Sequence, residues 1–162
     1  MRLISHRGNL SGPNSCVENH PDSIAKALRL GYDCEIDVWK IDNKFWLGHD
    51  EPLYEFDSID FFDAESKAKL WIHCKNFEAL NHLRKPIDHI DFFFHNKDDY
   101  TLTSSGLIWT YPGKQTGSNS ILVHNECIPV DYSNIYGLCT DYVEWHEEQM
   151  HIMKAESKQL IF

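Results

Sequence analysis

Short apolar runs that end in polar or turn residues recur along this chain of 162 residues. The first run, Leu3-Ile4, breaks at Gly8 into a loop rich in Gly, Pro, Asn and Ser that extends to about residue 15. Such a pattern is typical of a strand that ends in a surface loop. We therefore expect a short strand around Ile4.

The segment after this loop carries the boundary signals of a helix at both ends. Pro21 occupies a typical first helical position, and Gly31 follows the last position of the pattern. Ile24, Ala27 and Leu28 lie on one face at helical spacing. The pattern therefore predicts a helix that begins at Pro21 and ends before Gly31.

Polar and apolar side chains alternate with a period of two residues over residues 34–39. In a β-strand this period directs Glu35 and Asp37 to one face of the sheet. The apolar side chains of Ile36 and Val38 then point to the opposite face. We therefore expect the two carboxylates to be aimed at the same place.

A hairpin is predicted directly after this strand. Residues 42–44, Asp-Asn-Lys, are a turn signal, and residues 45–47 form a second short apolar run. That run leads into His49-Asp50 and a polar loop before Pro52. The N-terminal third of the chain therefore predicts a strand, a helix, a strand and a hairpin, in this order.

Five further apolar runs are predicted strands, namely Leu70 to Cys74, Ile90 to Phe94, Leu107 to Thr110, Ile121 to Val123 and Tyr136 to Thr140. Between them, residues 77–84 predict a helix that Asn76 caps, with Phe77, Leu80 and Leu83 on one stripe. The other links are too short or too polar for a clear amphipathic helix. Together with the two N-terminal strands, the runs predict seven parallel strands.

Candidate chemistry is concentrated at the ends of the N-terminal elements. Four motifs occur there in order, and they are His6-Arg7-Gly8, Glu18-Asn19, Glu35-x-Asp37 and His49-Asp50. In this order they resemble the first quarter of a glycerophosphodiester phosphodiesterase, within the wider phosphatidylinositol-phospholipase-C-like barrel superfamily. The resemblance is strong over residues 1–52. Further on it is patchy, where residues 71–75 resemble the third strand of the family and residues 136–141 resemble its last strand.

The resemblance implies an α/β fold, a shortened or degenerate TIM-type (β/α) barrel in a single domain over residues 1–162. A complete barrel of this type takes about 250 residues and rarely fewer than about 200, so the chain is short for it. Because few helical patterns separate the predicted strands, we expect a thinned outer helical layer. Polar side chains follow most of these strands, at the edge where parallel α/β folds bind ligands. Among them, His95 and His124 are candidate substrate contacts.

The resemblance also implies a metal site. Glu35 and Asp37 would bind a divalent cation, and Mg²⁺ or Ca²⁺ suits such hard oxygen ligands. The family carries a third carboxylate at the position of His73. If His73 is a metal ligand, its imidazole favours Mn²⁺ or Zn²⁺. In the alternative, His73 is not a ligand.

Cleavage of a phosphodiester requires proton transfer at two oxygens, and histidine titrates in the right range for both transfers. His6 and His49 are therefore the predicted catalytic acid and base, in either assignment. By resemblance, Lys75 contacts a phosphate oxygen, and Arg7 is suited to the same role.

These residues predict a metal-dependent phosphodiesterase that cleaves a glycerophosphodiester-like or related small phosphodiester. The alternative is a binding protein on the same scaffold, which recognises a phosphorylated metabolite or glycan without turnover. Two retained histidines favour the enzyme, because a binding protein has no need for two proton-transfer groups. The departure at His73 and the short chain favour the alternative.

Composition narrows the class of protein further. A formal net charge of −10 argues against general nucleic-acid binding, which needs a basic surface. No apolar run approaches the roughly twenty residues of a membrane span, and the five cysteines show no Cys-x-x-Cys spacing. These features predict a cytoplasmic protein with reduced thiols and no stable membrane insertion. The thin helical layer leaves apolar sheet faces to cover, so we also expect a homodimer.

Overall fold

A curled, mixed β-sheet forms the body of this protein in a computed structural model, which describes residues 1–56, 63–84 and 90–159. Within these residues the strands are β1 (Arg2–His6), β2 (Asp33–Ile41), β3 (Lys44–Leu47), β4 (Tyr54–Phe56), β5 (Leu70–Cys74), β6 (Asp91–Phe93), β7 (Tyr100–Leu102), β8 (Ile108–Thr110), β9 (Ser120–Val123) and β10 (Gly137–Thr140). The helices are α1 (Pro21–Arg29), α2 (Ala64–Lys67), α3 (Phe77–Leu83) and α4 (Val143–Gln159), and Tyr132–Asn134 form a 3₁₀ helix.

Seven strands run parallel to their neighbours in the order β6, β5, β2, β1, β10, β9 and β8. They coincide with the seven apolar runs of the sequence. Three antiparallel strands complete the sheet: β3 pairs with the end of β2, β4 pairs with β3, and β7 pairs with β8. The long strand β2 therefore joins the parallel strands to the predicted hairpin.

The predicted TIM-type barrel, in which strands and helices alternate, is wrong. α1 joins β1 to β2 and α3 joins β5 to β6, but the described residues form no α-helix between β8 and β9 or between β9 and β10. The connections there are too short and polar to cover a strand with an amphipathic helix. With three antiparallel strands included, the sheet is a curled half-barrel of mixed direction.

The first helix begins and ends where the sequence predicts. Pro21 is its first residue, and the His20 side chain accepts a hydrogen bond from the backbone N–H of Asp22. Ile24 and Leu28 are buried on the predicted face, which packs on β2. This helix therefore follows the loop after β1 and leads the chain back to β2.

The predicted start of α3 at Phe77 is confirmed and its last residue is Leu83, one before the predicted end, but part of its predicted buried face is wrong. Asn76 caps the helix by accepting a hydrogen bond from the backbone N–H of Ala79, and Leu83 is buried. Phe77 is 70 % exposed, although it shares the apolar stripe of the sequence. Helical spacing identifies a stripe, whereas the neighbouring strands decide how much of it is covered.

Each face of the curled sheet buries its own apolar cluster. The outer cluster lies between the sheet and α1, α3 and α4, and it includes Ile24, Ile36 and Ile72. The inner cluster lies inside the curl and consists of Ile4, Trp71, Phe93, Trp109, Ile121 and Cys139. The inner cluster fills the middle of the curl, and polar side chains lie next to it at the carboxyl ends of the parallel strands.

The helices and cysteines of this fold bear on the predicted absence of membrane insertion and on the predicted reduced thiols. Among the described helices, none is long and apolar enough to cross a bilayer. All five cysteines are free thiols, and Cys34, Cys74 and Cys139 are buried within strands. These three act as small apolar side chains of the sheet.

Candidate active-site cleft

A cleft of about 720 Å³ opens at the carboxyl ends of the parallel strands. Most of its charged and imidazole side chains lie on or just after β1, β2, β3 and β5, and these are His6, Arg7, Glu35, His49, Asp50, His73 and Lys75. Its ring-rich wall follows β6 and β8. The carboxyl ends of parallel strands meet at one edge of a sheet, which explains why residues distant in the chain share this cleft.

The cleft lies next to the inner cluster, because several of the residues that line it follow an inner-cluster residue by two positions. Five of the six inner-cluster residues are followed two positions later by a residue that lines the cleft, in the pairs Ile4 and His6, Trp71 and His73, Phe93 and His95, Trp109 and Tyr111, and Ile121 and Val123. The sixth, Cys139, is followed by Asp141, which binds the cleft residue His6. Alternate residues of a strand point to the same face. The residue two positions after each inner-cluster residue therefore points into the curl of the sheet, on the same face as that residue.

Glu35, Asp37 and His73 form a buried group that could hold a metal ion. One potential ligand atom from each of the three lies within 4.8 Å of the other two. Burial and the nearby charge of Asp37 raise the pKa of Glu35. Burial also opposes ionisation of Asp37, but the hydrogen bond and charge of His73, followed by Lys75, hold its pKa well below the usual range.

Both oxygens of Asp37 already have donors around them. Oδ1 lies 2.9 Å from His73 Nδ1 and 3.3 Å from Lys75 Nζ. Oδ2 accepts a hydrogen bond of 2.9 Å from Asn19 Nδ2 and lies 3.2 Å from Arg7 Nε. Arg7 of the first motif and Asn19 of the second therefore both contact Asp37 of the third. This arrangement stabilises its ionised form.

His6 is held by a partner that the sequence analysis did not select. Its Nδ1 lies 2.8 Å from Asp141 Oδ1, and its Nε2 lies 3.9 Å from Glu35 Oε2. Burial opposes protonation of His6, but the hydrogen bond to Asp141 and the charge of Glu35 together raise its pKa. A carboxylate on Nδ1 fixes the tautomer and leaves Nε2 for chemistry at the acidic pair.

His49 enters the same cleft from the loop after β3. It is partly exposed, and its Nδ1 lies 2.7 Å from Asp50 Oδ1. The loop is tied to β2, because Trp39 Nε1 donates to the Gly48 carbonyl at 2.7 Å and the Gly48 N–H donates to the Asp37 carbonyl at 3.2 Å. Burial lowers the pKa of His49, an effect that Arg7 and Lys75 reinforce and Asp37 opposes.

The two predicted phosphate contacts are both engaged with carboxylates. Arg7 Nη1 lies 3.1 Å from Glu18 Oε2, and its Nε faces Asp37. Lys75 Nζ also faces Asp37, and its side chain is 13 % exposed at the wall of the cleft. The Arg7 side chain also lines the cleft and is 19 % exposed. Arg7 contacts two carboxylates and is placed to orient them, whereas Lys75 contacts one and is less constrained when an anion enters the cleft.

The donor set fits a divalent cation by its charge and chemistry. The cluster contains four carboxylates and two permanently cationic side chains, which are Glu18, Glu35, Asp37, Asp141, Arg7 and Lys75. Before any histidine is protonated this leaves a surplus of negative charge, which a divalent cation would neutralise. Carboxylate oxygens are the ligands that Mg²⁺ and Ca²⁺ prefer.

The geometry of His73 bears on its role as a ligand. Its Nδ1 faces Asp37, and its Nε2 lies 3.2 Å from the backbone oxygen of His95. Both neighbours are acceptors, whereas a metal ligand must present a lone pair from nitrogen. His73 would therefore have to leave one of these contacts to bind a metal.

His95 and His124, the candidate substrate contacts, lie in different surroundings. His95 lines the cleft and stacks on His73 with ring centroids 4.4 Å apart. Burial and the charge of His73 lower the pKa of His95 to about 4. His124 is not among the residues that line the cleft, and its Nε2 lies 3.1 Å from the Ile128 carbonyl.

Asp141 is one of the polar residues that follow the predicted strands, but the sequence analysis gave it no role in the site, and Asn9 supports it. Asn9 Nδ2 donates to Asp141 Oδ1 at 2.8 Å, while the backbone N–H of Asp141 donates to Asn125 Oδ1 at 3.2 Å. A local signal was present, because Asp141 follows the inner residue Cys139 by two positions. The strand order that brings it to His6 is not visible in the sequence.

Comparison of the chain with protein-family models, curated proteins and solved structures finds no match. The assignment to the glycerophosphodiester phosphodiesterases therefore has no support beyond the ordered motifs, and it stays a prediction.

Proposed function

We propose that this protein is a metal-dependent phosphodiesterase that cleaves a glycerophosphodiester-like or related small phosphodiester. The observation that carries the proposal is the setting of His6. One ring nitrogen binds Asp141, and the other lies 3.9 Å from Glu35 Oε2 in a cleft that His49 also lines. An imidazole oriented by one carboxylate and directed towards a second suits general acid–base catalysis.

Glu35 and Asp37 would hold the divalent cation. Mg²⁺ or Ca²⁺ is the default, and Mn²⁺ or Zn²⁺ becomes the better fit if His73 turns to bind the ion. When bound, the cation would neutralise charge on the nonbridging phosphate oxygens, which otherwise repel a nucleophile.

We assign one of the two proton transfers to His6 and the other to His49. One imidazole takes a proton from the attacking oxygen of water or of a substrate hydroxyl, while that oxygen forms a new bond to phosphorus. The bond from phosphorus to the leaving alcohol breaks, and the other imidazole returns a proton to the alcohol oxygen. With water as the nucleophile, the products are a phosphomonoester and a free alcohol.

Lys75 and Arg7 have different tasks in this scheme. Lys75 lies at the wall of the cleft and approaches a nonbridging phosphate oxygen. Arg7 holds Glu18 and Asp37 in place, so that the acidic pair keeps its geometry when the substrate arrives. Loss of Arg7 would therefore alter the metal site as well as the affinity for phosphate.

A binding protein for a phosphorylated metabolite or glycan is the second candidate. The surroundings of Asp37 favour it, because two hydrogen bonds and two nearby cationic side chains stabilise this carboxylate without a metal. In this case Lys75 and the cleft bind the anion, and His6 transfers no proton.

We further propose a cytoplasmic location and a homodimer. The exposed side chains of Ile152 and Met153 on α4 support self-association, because they present apolar surface next to a partly covered sheet. The acidic net charge supports a small-molecule substrate over a nucleic acid.

The direct test is cleavage of glycerophosphocholine and bis(p-nitrophenyl) phosphate in the presence of Mg²⁺, Ca²⁺ or Mn²⁺ and after EDTA treatment. We expect EDTA, His6→Ala and His49→Ala each to lower turnover by about 10²-fold or more, the usual contribution of a general acid or base. His151→Ala is the matched control, because His151 is exposed on α4 outside the cleft.

Activity that survives EDTA and both histidine variants would refute the metal-dependent phosphodiesterase that uses His6 and His49. A wild-type protein without turnover that still binds glycerol phosphate in calorimetry would instead establish the binding protein.

A further inference from the structure

The two halves of the cleft differ in chemistry. The half that follows β1, β2 and β5 carries the charged groups, including His6, Glu35 and Lys75. The half that follows β6 and β8 is lined mainly by rings, which are Phe93, Phe94, His95, Trp109 and Tyr111. A phosphodiester has one phosphoryl group and two alcohols. Its phosphoryl group suits the charged half, so one alcohol must extend over the rings.

The deeper rings of this wall are already packed. Phe93 and Trp109 are almost fully buried, and their stacked centroids lie 4.3 Å apart. His73 and His95 stack beside Phe93 with nearly parallel planes. These side chains form a rigid support, and their faces are largely used by one another.

The outer rings, Phe94 and Tyr111, are open. Phe94 is 46 % exposed and Tyr111 is 53 % exposed, and within the described chain neither has a ring contact. One short segment holds both backbones, since Thr101 Oγ1 donates to the Phe94 carbonyl and the Tyr111 N–H donates to the Asp99 carbonyl. We call this pair the aromatic lip. Two open ring faces at the mouth of a polar cleft are suited to stacking on a flat ligand group.

Charge restricts what that group can be. Aromatic side chains can bind a quaternary ammonium, but Lys97 lies in the ring-lined half of the cleft and disfavours a cation there. A bare glycerol group has no flat face to stack. The lip therefore suits a neutral, flat ring, and Asn96 brings polar atoms to the same rim for hydrogen bonds with the edge of the ring.

We propose that the cleft selects small phosphodiesters in which one alcohol is a nucleoside, whose base stacks on Phe94 and Tyr111. This inference rests on the proposed phosphodiesterase activity, for which it names the substrate class. A cleft of about 720 Å³ falls within the range of small-molecule sites, roughly 300 to 1,000 Å³. The net charge of −10 disfavours a polynucleotide as the source of the nucleoside.

The test compares two diesters with the same leaving group, the methyl ester of adenosine 5′-monophosphate and the methyl ester of glycerol 3-phosphate. Phosphorus NMR follows both reactions without an added chromophore, which could itself stack on the lip. We expect kcat/KM to be at least about tenfold higher for the adenosine diester, since stacking on aromatic side chains contributes about 1–3 kcal/mol per base.

Phe94→Ala and Tyr111→Ala should each reduce that preference, measured as the ratio of the two kcat/KM values, about fivefold to tenfold. Tyr111→Phe should retain the preference, because it keeps the ring. Phe77→Ala is the matched control, since Phe77 is also an exposed ring but lies on α3 outside the cleft.

Equal kcat/KM for the two diesters in the wild type would overturn the nucleoside preference and leave the phosphodiesterase intact. If neither diester is cleaved, the phosphodiesterase proposal fails, and calorimetry then decides the ring preference. Tighter binding of adenosine 5′-monophosphate than of glycerol 3-phosphate, lost in Tyr111→Ala, would support stacking. Equal binding of the two monoesters would refute it.

Discussion

At the scale of single residues, the site depends on which side chain follows an inward apolar residue by two positions. Cys139 precedes Asp141, and Ile4 precedes His6, so both polar groups point into the curl of the sheet. The sequence analysis selected His6 by its motif and passed over Asp141. A search for polar residues two positions after each buried strand residue would have found both.

Asp141→Asn tests whether this carboxylate positions His6. We expect kcat to fall by about 10²-fold or more with little change in KM, because Asn does not stabilise a proton on His6 as a carboxylate does. Nitrogen NMR should also show a changed proton signal at His6 Nδ1. Asp131→Asn, at the cap of the 3₁₀ helix, is the control and should leave kcat unchanged. A normal kcat in Asp141→Asn would remove Asp141 from the mechanism.

Gly48 is the residue at which backbone geometry fixes the approach to His49. Its φ is +147°, and an added Cβ would overlap the backbone oxygen of Glu51. We expect Gly48→Ala to lower the free energy of unfolding by about 3 kcal/mol and to impair turnover by moving His49.

Gly106→Ala is the matched control for this variant. Gly106 has φ +85° with open space around it, so the change should cost only about 1 kcal/mol of backbone strain. Urea unfolding measures both variants. Equal losses would show that the overlap with Glu51 relaxes freely.

At the scale of elements, the best predictions were those that depend on neighbours in sequence. The bounds of α1, the capping of α3 by Asn76 and the turn between β2 and β3 all agree with local patterns. The turn residues Asp42 and Asn43 both have positive φ, as the preferred two-residue hairpin turn requires. The exposure of Phe77 on α3 could not be predicted, because it depends on which strand lies beneath the helix.

The attachment of α4 predicts how stability depends on pH. His146 on this helix is fully buried; Tyr132 Oη lies 2.8 Å from its Nδ1, and its Nε2 lies 3.1 Å from the Glu126 carbonyl. Burial lowers the pKa of His146, and His124 reinforces the effect. Below about pH 6.5 the unfolded chain therefore binds a proton that the folded protein resists.

The stabilising contribution of neutral His146 should be fully present above about pH 6.5 and decline as the pH falls towards the pKa of the folded state. We expect His146→Gln to show a shallower loss of stability between about pH 7 and pH 5 than the wild type, in urea unfolding at each pH. His151→Gln, exposed on the same helix, should keep the wild-type slope. Identical slopes in all three proteins would contradict this role of His146.

At the scale of the whole molecule, the curl of the sheet places two apolar clusters back to back. The two sides of the curl approach each other where the Ser104 N–H donates to the Phe92 carbonyl at 2.8 Å, and the Phe92 N–H donates to Ser104 Oγ at 3.1 Å. The strands separate the outer cluster from the inner one and contribute side chains to both. Neither cluster can therefore unfold without disturbing the same strands.

We expect the molecule to unfold in one cooperative transition. Ile72→Ala in the outer cluster and Ile121→Ala in the inner cluster should each lower the free energy of unfolding by about 2–5 kcal/mol with an unchanged m-value. Ile128→Ala is the control, because this side chain is exposed and belongs to neither cluster, and it should change the free energy of unfolding by less than about 0.5 kcal/mol. Two separate transitions in either core variant would show that the clusters are independent.

The sequence by itself determined the local elements and the acidic pair. Periodicity and turn chemistry act over a few residues, so they place Glu35 and Asp37 on one face of β2 without knowledge of the rest of the chain. The tertiary structure decided the sheet order, the mixed strand directions and the partner of His6, which lies 135 residues away in Asp141. These features depend on which distant strands pair, and loop closure and side-chain packing across the whole molecule select that pairing.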